Sequence, residues 1–97
     1  FKDTVRIVRE ESDQLDDEIM SRMAARRKVA EKIGQYKKEN GVTILQVSRW
    51  EEIIQTRITL GKAMGLNPSF TNDLLKLIHQ ESIQVQTKVM NKVEERV

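Results

Sequence analysis

Between Val5 and about Lys38 the chain has no proline and a single glycine, Gly34, while apolar residues recur at Val8, Leu15, Ile19, Met23, Ala30 and Ile33. Steps of three and four residues gather such side chains on one face of a helix, so the stretch reads as one long helix. Roughly 34 residues at ~1.5 Å each extend ~50 Å, whereas a compact chain of 97 residues has a radius of gyration of ~12–13 Å and a diameter of ~32 Å. The helix therefore outruns any globule its own chain can form. Burying the overhang calls for a second copy, most economically through a two-fold homodimer in which the long helices pair.

The rest of the chain is punctuated for two more helices. Asn40-Gly41 closes helix 1, with Lys37 and Lys38 complementing the negative end of its dipole, and a loop follows from Val42 to Val47. Ser48 with Glu51 three residues on has the form of a capping box, which starts helix 2 there and runs it to about Ala63. Gly65 ends that helix. Asn67 as cap and Pro68 in the first turn start helix 3, which continues towards Glu94 on a stripe of Leu74, Leu75, Ile78, Val85, Val89 and Val93. The expected fold is all-α, three helices forming an intertwined homodimer, with residues 1–97 as one domain. Because the first residue is Phe1, the expectation is a domain excised from something longer.

Composition narrows the function. Seventeen Lys+Arg against fifteen Asp+Glu leave a net charge of +2 spread along the chain, and no compact turn between short helices suggests a recognition helix, so nucleic acid is not expected as a partner. Without cysteine there is no disulfide or thiolate metal site, and the lone His79 has no second imidazole for a zinc cluster. No apolar run approaches the ~20 residues needed to span a bilayer, and the expected location is cytoplasmic. Tyr36, His79 and the four methionines are read as packing or surface, and Trp50 as a core or interface anchor. Arg27, Arg57 and Lys62 are read as solvated or paired charges.

The residues that break the apolar pattern are more informative than those that keep it. At ~100° per residue, Arg26 and Lys37 differ by only ~20° around helix 1 and share the side of Leu15, Ile19 and Ile33. Taken singly, each could run its alkyl stem along the core and put its charge in water. On helix 3, Ser82 and Gln86 likewise fall among Ile78, Val85 and Val89, and buried polar groups need partners. If helix 3 packs on helix 1, two cations, an amide and a hydroxyl converge on a pocket with no nucleophile and no obvious general base. Such a pocket suits an anion, and a reaction accelerated by fixed donors rather than by proton transfer or covalent chemistry.

From about Arg9 to Gln86 the chain resembles the AroQ-type, all-helical chorismate mutases. The resemblance is carried by Arg9, Leu15-Asp16, Ala25-Arg26-Arg27 with Ala30, Ile33-Gly34 before Lys37, Arg49, the run Ile58 to Ala63, and Glu81-Ser82 with Gln86. It implies an isomerase that rearranges chorismate to prephenate in aromatic amino-acid biosynthesis, without cofactor or metal. It further implies a dimer in which Arg9 completes the partner's site. Arg26 and the second copy's Arg9 would bind the two carboxylates with help from Ser82, while Lys37 and Gln86 would donate to the ether oxygen. Gln46 stands where an aspartate is common and would contact substrate largely through its backbone, and Arg49 would contact substrate or support the site. The family's glutamate for the substrate hydroxyl follows that arginine directly; here Trp50 takes the place and Glu51 comes one residue late, ~100° around the helix. Other readings of the same pattern are an isochorismate-pyruvate lyase of the same fold, and a helical dimerisation or regulatory module of a larger, covalently fused or associated shikimate-pathway enzyme.

Overall fold

The structure, a computed structural model, describes residues 2–92. They form three helices, α1 (Lys2–Asn40), α2 (Val47–Ala63) and α3 (Pro68–Asn91). Val93 and Glu94, the expected end of the last apolar stripe, lie outside the described residues.

Two of the helix boundaries follow the punctuation expected of them. Gly41 takes φ 64°, and the Val42 N–H reaches the Lys37 carbonyl at 2.9 Å, which closes α1 in a left-handed cap that a side chain with a Cβ would strain. The Asn67 carboxamide oxygen accepts from the Ser69 and Phe70 backbone N–H groups at 2.9 and 3.4 Å, with Pro68 in the first turn.

The expected capping box does not form. Helix α2 is capped at Gln46, whose side chain makes no capping bond, and its first helical bond runs from the Trp50 N–H to the Gln46 carbonyl at 3.1 Å. Ser48 thus lies inside the first turn, where its hydroxyl cannot serve as the cap. The early entry has a local cause: Lys37 Nζ donates to the Ile44 carbonyl at 2.7 Å and ties the loop to the end of α1. That register sends Arg49, Trp50 and Ile53 towards the same cavity.

Helix α3 packs against both α1 and α2, which do not pack against each other. The approach of α1 to α3 is closest at Gly34, where an added Cβ would meet the Gln86 Cα at 3.0 Å and its carbonyl oxygen at 3.2 Å. Backbone atoms cannot swing aside as a side-chain tip can, so glycine at this point sets the spacing of the two helices.

The chain measures 63 × 36 × 14 Å with a radius of gyration of 17.8 Å, well above the ~12–13 Å of a compact chain this size. Its least dimension is close to the ~10–12 Å diameter of one helix with its side chains. So thin a slab has little interior. Accordingly Ala30 and Val85 are the buried hydrophobic residues among those described, while Leu15, Ile19, Leu60 and Phe70 are each more than half exposed. Every residue from Lys2 to Arg22 is exposed. No helix among the described residues is long and apolar enough to cross a membrane.

Candidate functional site

The space between α1 and α2, floored by α3, is a cavity of about 790 Å³. Arg22, Arg26 and Lys37 reach it from α1, Arg49 from α2, and no aspartate or glutamate lines it. Four cations without a carboxylate make a positive pocket, matched to a ligand with more than one negative charge.

Along its wall lies a short chain of hydrogen bonds. Lys37 Nζ donates to the Ile44 carbonyl at 2.7 Å and to Gln86 Oε1 at 2.8 Å, and Gln86 Nε2 donates to Ser82 Oγ at 3.0 Å. An ammonium has only protons to offer, so it accepts no amide N–H and turns the Gln86 oxygen towards itself. The Gln86 NH₂ group then has one proton on Ser82 and one left over. Lys37 likewise keeps a third proton free. Gln86 is 5% exposed, and each of its two polar side-chain atoms has a partner. Burial lowers the Lys37 ammonium below its ordinary 10.5.

Six of the residues expected to carry chemistry, Arg26, Lys37, Gln46, Arg49, Ser82 and Gln86, line this one cavity. Arg26 is exposed, and Arg49 Nη1 is held by Glu52 Oε1 at 2.8 Å on the surface of α2. Arg9 is elsewhere. It stands seventeen residues before Arg26 on α1, ~25 Å along the axis, and is exposed. Arg27, read as a solvated or paired charge, pairs across α1 and α3 with Glu81 at 3.0 Å.

Two residues read as structural belong to the cavity wall. Trp50 stacks on His79 with ring centroids 4.1 Å apart and planes 24° from parallel, and both line the pocket. His79 was expected to be packing or surface, and its stack is packing that also faces the cavity. Burial first, and the charge on Lys37 second, hold His79 below its ordinary 6.5, so the imidazole is neutral near pH 7. A signal for it was present in the sequence, since His79, Ser82, Ile83 and Gln86 follow the i, i+3, i+4, i+7 spacing of one helix face.

The chemistry available is that of a cationic, donor-rich cleft. A second, mostly apolar groove of about 520 Å³ lies on another side of the α1–α3 contact, lined by Ile19, Met20, Met23, Leu74, Leu77 and Ile78 among others. Among the described residues no cluster of His, Asp or Glu could hold a metal ion.

Comparison with known proteins agrees with this geometry. The family described as chorismate mutase type II matches residues 8–87. A bifunctional chorismate mutase/prephenate dehydratase of Buchnera aphidicola subsp. Acyrthosiphon pisum is 34% identical over 86 residues, covering 89% of this chain and 22% of that protein. The protein of the same name from Buchnera aphidicola subsp. Schizaphis graminum is 31% identical over 84 residues, with coverages of 87% and 22%. Its namesake from Escherichia coli is 28% identical over 83 residues, covering 86% of this chain and again 22% of the longer protein. The chain thus spans about a fifth of the length of these curated relatives. No solved structure matches significantly. With a family match from one end of the cationic cleft to the other, the chain belongs to the chorismate mutase type II family and is an all-α chorismate mutase domain.

Proposed function

We propose that the cleft between α1 and α2 is where chorismate rearranges to prephenate, and that a second copy of the chain completes it. The reaction is intramolecular: the ether C–O bond breaks as a C–C bond forms, no atom leaves, and negative charge builds on the ether oxygen in the transition state. Donors already fixed in place stabilise that charge without reorganising, and this difference between ground and transition states is what accelerates the step. A million-fold acceleration corresponds to ~8 kcal/mol, shared between those donors and holding the substrate in its reactive fold.

The observation that carries the reading is the Lys37–Gln86–Ser82 chain, which leaves one Lys37 proton and one Gln86 proton uncommitted in the wall of a cationic pocket. Both would donate to the ether oxygen. Arg26, with Ser82 beside it, would bind one carboxylate, and Arg9 of a second copy the other, each through the two-pronged guanidinium geometry suited to carboxylates. Arg49 and the backbone at Gln46 would close the mouth.

The second copy is argued from the slab. A chain 14 Å thick with exposed Leu15, Ile19 and Phe70 leaves apolar surface uncovered, and a two-fold pairing of α1 with α1 would cover both overhangs at once. The bifunctional names of the relatives support a setting in which this domain is fused to an enzyme that consumes prephenate.

Prephenate formation by the wild type and by Lys37→Ala tests the assignment, with helicity and sedimentation followed in parallel. The wild type is expected to turn over and the folded variant to be severely impaired. An inactive wild-type dimer, or a fully active variant, contradicts it. Offering isochorismate to the same protein and assaying pyruvate distinguishes the lyase of the same fold.

A further inference from the structure

A second cluster in the pocket remains outside this mechanism. The substrate carries, besides two carboxylates and an ether, a ring hydroxyl, and a hydroxyl taken out of water needs an acceptor for its proton as well as a donor. The cleft is rich in donors and poor in acceptors. Its arginines and Lys37 cannot accept, and the indole of Trp50 only donates. The Ile44 carbonyl and Gln86 Oε1 each already accept from Lys37, and Ser82 Oγ from Gln86 Nε2, so a second bond there would share an oxygen already engaged. Gln46 is exposed at the cap of α2. His79 differs from these in that its ring nitrogens have no hydrogen-bond partner among the described residues.

We propose that His79, positioned by its stack on Trp50, is a specificity-determining residue of this cleft and accepts the hydrogen bond of the substrate's ring hydroxyl. The proposal rests on the reading of the cleft as the chorismate site. Three observations converge on it. The imidazole lines the same cavity as Lys37 and Gln86. One of its faces is covered by Trp50, ring centroids 4.1 Å apart, which fixes the plane of the ring beside the cavity. Neutral near pH 7 for the reasons above, it keeps a lone pair on one nitrogen. The stack thereby supplies a neutral acceptor in a pocket that contains no carboxylate.

The test pairs chorismate turnover with competitive inhibition by an analogue whose ring hydroxyl is replaced by hydrogen. His79→Leu keeps the bulk and removes the acceptor. It is expected to lower kcat/KM for chorismate by about tenfold, the loss of one hydrogen bond, while leaving the inhibition constant of the deoxy analogue within about twofold. His79→Gln, which restores a neutral acceptor, is expected to regain most of the activity. Equal losses for both compounds would mean that His79 is only a wall, and would overturn the proposal. So would an unchanged His79→Leu enzyme, or a loss that appears in Gln46→Ala instead. Turnover that needs Lys37 but not His79 strikes the His79 assignment alone, whereas a wild type without turnover strikes the site itself and His79 with it.

Discussion

Residues 23–40 of α1 lie along α3, with Ala30 and Gly34 buried and Lys37 bonded across the interface, whereas residues 2–22 of the same helix are exposed throughout. Both halves carry apolar residues at helical spacing, and neither is interrupted by proline. The difference lies in what faces them. The C-terminal half meets its own chain at a glycine and places Arg26 and Lys37 beside a cleft. The N-terminal half presents Val5, Val8, Leu15 and Ile19 to solvent and carries the remaining arginine expected to act, Arg9. One helix thus serves two frames of reference, its own chain's pocket at one end and, on our proposal, a second copy's pocket at the other. Helix propensity alone cannot hold such an overhang in place, since helices in proteins draw most of their stability from tertiary packing.

The largest expected effect falls in the packed half. Lys37→Ala removes a donor aimed at the developing charge and is expected to lower kcat by ~10²–10³-fold with little change in helicity, measured by prephenate formation and circular dichroism. In the exposed half the expected effect is on assembly. On the proposed pairing, Leu15→Glu should shift sedimentation from dimer to monomer at micromolar concentration and lower helical content, because the slab has little core of its own. If the Leu15→Glu variant stays dimeric, the overhang is not the interface.

Gly34→Leu probes the boundary between the halves. Forcing a side chain against the Gln86 backbone costs ~1–3 kcal/mol of overpacking, a fall of roughly 5–20 °C in Tm by thermal unfolding, and parts Lys37 from Gln86.

The smallest effect is on pH dependence. His79 titrates below 6.5 when folded, so beneath that value the unfolded chain binds more protons and stability falls. Its contribution is complete above about 6.5 and is lost as pH drops through the folded value; in His79→Gln that part of the Tm profile should flatten. At the other extreme Lys37, lowered by burial, should lose its proton before 10.5, so the alkaline limb of kcat should begin below that pH.

What could be read from the sequence depended on how local the physics was. Gly41, Asn67 and Pro68 act within one turn of where they stand, and the end of α1 and the start of α3 followed from them. The spacing of Arg26, Lys37, Ser82 and Gln86 was legible because a helix converts spacing into direction. The start of α2 was not, because a bond from Lys37 in the previous helix to the loop carbonyl of Ile44 outweighed a capping pattern that was correct only in sequence. His79 and Trp50 were missed for a related reason. Each was judged alone, while the stack joins two helices and only then gives either ring a place in the cleft.

Whether each cleft is completed by Arg9 of another copy can be decided by mixing two inactive variants. Arg9→Ala and Lys37→Ala are each expected to be nearly inactive as homodimers. Unfolded together and refolded at equal amounts, they should recover about a quarter of wild-type activity, since half the dimers are mixed and each of those rebuilds one of its two sites. Recovery of that size supports a site shared between chains. Mixed dimers formed without any recovery would contradict it.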